Sequence, residues 1–198
     1  MTLAETIYTQ NGRSIVVKSP QKAFNLGGGG QRYEGVINVD VLKGESTDIV
    51  HDLNVFPWPI PDNIADEVFS FHSMEHLDDL LRVMKEIHRI SKNNAHVVIE
   101  VPYFRHSGAF QDPTHKHFFT SKTMDYFCSN MAKKRTGGVY SSERFDKIGF
   151  WYGWPAPSKN FFARTFKKFI HRYPKFYDEH LSKLVPVKIV VFELMVIK

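Results

Sequence analysis

The 198-residue sequence predicts an α/β domain built on one sheet, and three observations carry that prediction. Short apolar runs, several of them β-branched, recur through the first half of the chain, as in strands covered on both faces. A single long segment between the fourth and fifth runs has apolar residues at three- and four-residue steps, the period of a helix. Four consecutive glycines follow the first run and an acid closes the next, a layout in which the glycine turn can approach a ligand closely.

Residues 1–20 are polar and weakly patterned, with Ile15-Val16-Val17 as a candidate edge strand. The first clear run is Ala23 to Leu26, and Val36 to Val41 and Asp48 to Val50 follow. Glu67 to Phe71 is the fourth strand and His96 to Val101 the fifth. Between these two, Met74, Leu77, Leu81, Met84 and His88 align at helical spacing, as do Leu80, Met84 and Ile87, which predicts a helix over 73–92. Ser73 is its expected N-cap, and Asn93-Asn94 its left-handed stop. Arg144 to Tyr152 and Val187 to Ile197 supply the last two strands.

Composition favours one domain over residues 1–198, since 42% apolar content suffices for a buried core. The lone Cys128 forms no internal disulfide, and the opening Met1-Thr2-Leu3-Ala4-Glu5 lacks the pattern of a signal peptide, so the expected compartment is the cytoplasm. No uncharged apolar stretch approaches the ~18 residues of a membrane span. The net charge of +5 is unevenly placed: Lys159, Arg164, Lys167, Lys168, Arg172 and Lys175 fall within 158–175 with no acid, leaving the remainder at −1.

Four consecutive glycines, Gly27 to Gly30, follow the first strand, and Asp40 ends the second. A turn without Cβ atoms approaches a ligand closely and aims amides at it, and a strand-tip carboxylate accepts ribose hydroxyls, so the pair points to a nucleotide-type cofactor. Only residues 31–35 separate the glycines from the second strand, and on spacing alone an antiparallel hairpin is expected there. The gap 42–47 is equally short.

Taken in order, these residues resemble the class I S-adenosylmethionine-dependent methyltransferases over about residues 23–119. Asn25-Leu26-Gly27-Gly28-Gly29-Gly30 matches the family's first strand and glycine loop, Asp40 its strand-two acid, and His51-Asp52-Leu53-Asn54 its strand-three site. Phe56 to Asn63 matches the approach to strand four, and Phe69 to Leu77 the exit into a helix. The resemblance implies a Rossmann-like three-layer sheet, mostly parallel with an antiparallel C-terminal strand, and S-adenosylmethionine as cofactor. By the same likeness Asn25 and the amides of Gly27, Gly28 and Gly29 hold the methionine end. Asp40 takes the ribose, Asp52 and Leu53 meet the adenine edge, and Phe71 and His72 line the methionine side. Asn25 stands where the family has an acid, Gln31 where it often has glycine, and the first two crossover helices are reduced to turns. The sheet near strands two and three is then thinly covered, so residues 1–20 or a second copy in a homodimer are expected to shield it.

After the fifth strand comes Gln111-Asp112-Pro113-Thr114-His115-Lys116-His117, at the end of the sheet where ligands bind. Similar Asp-Pro-Thr-His loops occur in methyltransferases found beside glycan-assembly enzymes, which implies a sugar, glycan or lipid-linked hydroxyl acceptor. A hydroxyl must lose its proton as it is methylated, and His115 is the expected base with Asp112 or His117 orienting it. Asp112, His115 and His117 also suit a divalent ion, but no fourth ligand or open-site motif accompanies them, so no metal is assigned.

In residues 155–186, an insertion or lid, Phe162, Phe166, Phe169, Ile170 and Tyr173 share a helical face among the six cations. Such a helix suits an anionic membrane surface, with Lys167 and Lys168 reaching solvent, or a lid packed on the sheet. Nucleic acid is not expected, since no recognition motif accompanies the cations. Two other classes stay open: a non-catalytic module for a membrane or acidic partner, and a nicotinamide oxidoreductase. The second is weakened because Asp40 arrives ~10 residues after the glycines rather than ~20.

Overall fold

The computed structural model describes residues 22–129, 143–154 and 161–198. Seven strands form one sheet: β1 (Ala23–Leu26), β2 (Val36–Asp40), β3 (Ile49–Val50), β4 (Ala65–Phe71), β5 (Ser91–Pro102), β6 (Arg144–Tyr152) and β7 (Ile189–Ile197). Their order is β3-β2-β1-β4-β5-β7-β6. The first five run parallel, and β7 lies antiparallel between β5 and β6.

The hairpin expected between β1 and β2 does not form; the two are parallel, with Ala23 beside Val36 and Leu26 beside Val39. The strands are short enough to explain this. A four-residue strand is only ~13 Å long at ~3.3 Å per residue, so residues 27–35 can return along it without a helix. Gly29, Gly30 and Gly35 bend the path with positive φ. The β2–β3 connection is likewise free of helix, as the reduced crossovers implied. The proposed cover from residues 1–20 lies outside the described residues.

The predicted long helix divides. A 3-10 turn, Met74–His76, leaves β4, and α1 (Leu80–Ile90) begins only after Asp79, whose carboxylate caps the amides of Leu81 and Arg82. Ser73 caps nothing. Val83, Met84, Ile87 and Ile90 are buried, while Leu81 faces solvent. Asn94 does take a left-handed φ, but as part of a bulge in β5, where the register slips between the Ala65–Ser91 and Glu67–His96 pairs.

The main core joins α1 to one sheet face and continues under the β6–β7 insertion through Tyr103, Phe145, Tyr152, Ile170 and Tyr177. On the other face a smaller cluster of Ala23, Val36, Phe69, Phe71, Val98 and Val191 packs with Tyr33, Trp151 and Trp154. A short helix, α2 (Gly108–Gln111), follows β5, and the insertion carries α3 (Phe161–Arg172) and α4 (Pro174–Glu179). Asp178 of α4 fastens it down. Its Oδ1 accepts the hydroxyls of Tyr103 and Tyr152 at 2.7 and 2.5 Å, and its Oδ2 that of Ser121 at 2.6 Å. Burial first, then the Asp178 carboxylate, pushes the Tyr152 phenol well above its usual pKa.

The aromatic face of α3 is only partly used. Ile170 is buried and Phe166 packs on the core, but Phe162 is 81% exposed, and Phe169 and Tyr173 also reach solvent. Lys167 does not extend freely as expected, since its ammonium donates to the Trp154 carbonyl at 3.1 Å. Among the described residues no helix is long and apolar enough to cross a membrane.

Candidate functional site

The carboxyl ends of β1, β2 and β4 meet at the glycine turn. Gly27 has φ +76°, and a Cβ there would overlap the Ser73 side chain, so glycine is required both for backbone conformation and for close packing against the β4 exit. A Cβ on Gly29 or Gly30 would meet nothing within 4 Å, which leaves the outer turn open to a ligand. Gly29 donates its amide to Asp40 Oδ2 at 2.8 Å, and Leu42 donates to Asp40 Oδ1 at 2.9 Å. Asp40 thus shapes the turn, and each oxygen keeps a further lone pair for a hydroxyl.

The amides of Gly27 and Gly28 do not point to a ligand. Both donate to the Val39 carbonyl, at 2.8 and 3.3 Å, because parallel pairing of β1 with β2 continues into the turn. In this structure the two amides serve the turn itself. Asn25 is buried and donates to Asn38 Oδ1 at 2.9 Å, while its own Oδ1 has no partner.

Asp40 and the strand-three site share one corner, since the His51 amide donates to the Asp40 carbonyl at 2.9 Å. Asp52 is exposed and its Oδ1 accepts the Asn54 amide, a turn of the Asx type. The Leu53 side chain is in the core, so only its backbone can serve a ligand. Phe71 is also mostly buried, stacked on Phe69 and tilted against Trp154.

His72 sits where β4 turns out of the sheet, at φ 52°, a left-handed conformation rare in non-glycine residues. It lies between two buried carboxylates, with Nε2 2.8 Å from Glu100 and Nδ1 3.3 Å from Glu75. Glu100 also accepts the Trp154 indole N–H. The sequence pattern singles out neither Glu100 nor Glu75. The signal was present for Glu100: an acid inside Val97-Val98-Ile99-Glu100-Val101 is buried only if partnered.

The Asp-Pro-Thr-His loop is strapped to the same 3-10 turn. The Glu75 carbonyl accepts the amides of Lys116 and His117, at 2.7 and 3.2 Å, and Lys116 pairs with Asp78 at 2.5 Å. This brings His115 edge-on to His76, with ring centroids 4.7 Å apart. Asp112 does not orient His115, and nor does His117. Asp112 accepts both the amide and the hydroxyl of Thr114, at 2.8 and 2.6 Å, which hold its carboxyl below the usual range. Thr114 Oγ1, its proton given to Asp112, accepts from His76 Nδ1 at 2.8 Å. His115 instead donates Nδ1–H to the Ala109 carbonyl at 2.9 Å. Each ring therefore keeps its Nε2 lone pair. A separate cavity of about 360 Å³ is lined by Arg105, Lys122, Lys175 and Asp178, with no residue of the glycine turn.

Residues 35–99, from β2 through most of β5, match a family profile described as a methyltransferase domain. The fold is that of the class I methyltransferases. An S-adenosylmethionine-dependent methyltransferase from Mesorhizobium loti is similar at a TM-score of 0.51 and 14% identity, covering 88% of this chain and 90% of that one. One from Archaeoglobus fulgidus gives 0.52 and 16%, with 90% and 87% covered. The [4+2]-cyclase SpnF, at 0.50 and 12%, covers 89% of this chain and 74% of that one. Such likeness speaks to fold, which hosts more than one chemistry. No curated protein matches the chain. The methyltransferase-domain match supports S-adenosylmethionine as the cofactor, and the open glycine turn beside Asp40 fits it.

Proposed function

We propose that this methyltransferase-fold chain transfers a methyl group from S-adenosylmethionine to a hydroxyl of a sugar, glycan or lipid-linked acceptor. The observation that carries the reading is the Gly29–Asp40 bond at the turn packed on Ser73, because Ser73 leads directly to the His72, Glu75 and His76 turn. A cofactor on Asp40 and an acceptor at His76 and His115 would share one cleft. When bound, the sulfonium supplies an activated methyl and departs as a neutral thioether.

The chain's own residues then position and deprotonate. Fixing an acceptor in line can be worth ~7–11 kcal/mol, whereas proton removal contributes ~10²–10⁴-fold. His115 Nε2 is the first choice to take the hydroxyl proton, its tautomer set by the Ala109 carbonyl.

The test is calorimetry with S-adenosylhomocysteine. Asp40→Asn keeps the shape but loses the charge-assisted bonds, worth ~1.5–3 kcal/mol, so affinity should fall ~10–100-fold. Unchanged affinity, or wild-type preference for NAD, would end the reading.

A lipid-linked acceptor is favoured by α3, where exposed Phe161, Phe162, Phe169 and Tyr173 lie among Arg164, Lys168 and Arg172. Wild-type protein should sediment with liposomes containing anionic lipid and not with neutral ones. Phe162→Ser combined with Lys168→Glu should abolish this; sedimentation that survives would place the contact elsewhere. If liposomes bind but S-adenosylhomocysteine does not, the chain is a membrane module rather than an enzyme.

A further inference from the structure

We propose that Glu75, His76 and His115 form a binding site for a first-row divalent metal ion on the acceptor side of the cleft. One carboxylate oxygen and one ring nitrogen from each histidine lie within 4.8 Å of one another. An ion held between them would sit at ~2.0–2.2 Å from each ligand atom.

Two independent features make this a built site. Glu75 is 1% exposed, and its Oε2 has no hydrogen-bond partner. A buried carboxylate oxygen left without a donor is costly, and a cation beside it removes that cost. Both histidines are also prepared as ligands. A metal-bound imidazole characteristically donates its other N–H to a carbonyl or carboxylate, which fixes the ring and raises its basicity. His115 donates Nδ1–H to the Ala109 carbonyl, and His76 donates to Thr114 Oγ1, itself tied to Asp112. Asp112, out of reach as a ligand, thereby acts on the ion through Thr114 and His76.

The ligand set differs from the Asp112, His115 and His117 group that the sequence suggests. His117 shares the loop, but it is not among the three converging residues. Two imidazoles and one carboxylate suit zinc, iron(II), manganese or cobalt rather than calcium, and three protein ligands leave positions open for an acceptor oxygen. This role toward an acceptor rests on the proposed methyl transfer, and in it His115 acts through the ion instead of taking the proton itself. A metal-held hydroxyl ionises far more readily than a free one, and its proton then passes to solvent water as the oxygen takes the methyl. Binding of the ion does not depend on that reading.

The experiment is calorimetric titration of chelator-stripped protein with Zn²⁺ and with Mn²⁺, with S-adenosylhomocysteine affinity measured separately on the same samples. At least one ion should bind one per chain. His76→Ala, His115→Ala and Glu75→Gln should each weaken it by at least ~10-fold, and Thr114→Val by ~10–100-fold. His117→Ala should leave ion affinity unchanged, and His115→Ala should retain S-adenosylhomocysteine binding, which shows that the variant is folded. Failure of folded wild-type protein to take up either ion overturns the proposal. So does wild-type ion affinity in a His76→Ala/His115→Ala double variant. Loss of homocysteine-product binding by wild type, with the ion retained, would refute the cofactor assignment and leave the metal site standing.

Discussion

His115→Ala should lower turnover ~10²–10⁴-fold while S-adenosylhomocysteine affinity stays within about a factor of two. The two quantities separate because His115 belongs to the loop after β5, whereas the cofactor contacts assigned to Asp40 and the glycine turn lie at the ends of β1 and β2. Single-turnover rates with labelled donor measure the first and calorimetry the second. The expected loss holds whether the ring accepts a proton or holds an ion, since either function needs Nε2. His115→Gln is a useful companion, because its amide can still donate toward the Ala109 carbonyl without supplying a comparable base or ligand. If both variants lose turnover and product affinity together, the side chain is structural. If neither loses turnover, the acceptor lies elsewhere.

Asp178→Ala should cost ~3–5 kcal/mol of stability, the largest single effect expected in the insertion. The carboxylate accepts from Tyr103, Tyr152 and Ser121, and both tyrosines are almost wholly buried. Without it, two buried phenolic hydroxyls lose their shared acceptor. For a chain of this length the midpoint of thermal unfolding should drop by ~10 °C. The mechanism is checked by repeating the substitution in a Tyr103→Phe/Tyr152→Phe background, where the orphaned donors are gone and the added loss should shrink by more than half. A loss below ~1 kcal/mol in the wild-type background would show that the bonds are replaced by solvent.

Much of the sheet was legible because its strands are either continuous apolar runs or end in diagnostic residues. Ala23–Leu26 and Arg144–Tyr152 have the expected bounds. The β1–β2 hairpin was misread because connection length was judged without strand length. The helix start was misplaced because Met74 and Leu77 keep helical spacing through a 3-10 turn and an extended Leu77, so periodicity alone does not register the break. Asp40 was legible as a strand-tip acid next to glycines. The pairing of Glu75 and Glu100 through His72 was not, since it depends on the β4–β5 register that places Phe71 beside Glu100. Likewise His76 and His115 are 39 positions apart in numbering, and the double acceptance by the Glu75 carbonyl, with the His76–Thr114 bond, brings them face to edge.

That doubly bonded carbonyl also constrains how the cleft can breathe. With Lys116 and His117 stapled to it and Lys116 clasping Asp78, the loop and the turn shift together or stay put. At the two ends of this fastened segment, Phe110 and Phe118 stack with ring centroids 4.5 Å apart and both reach solvent, so the pair is carried with the loop rather than apart from it.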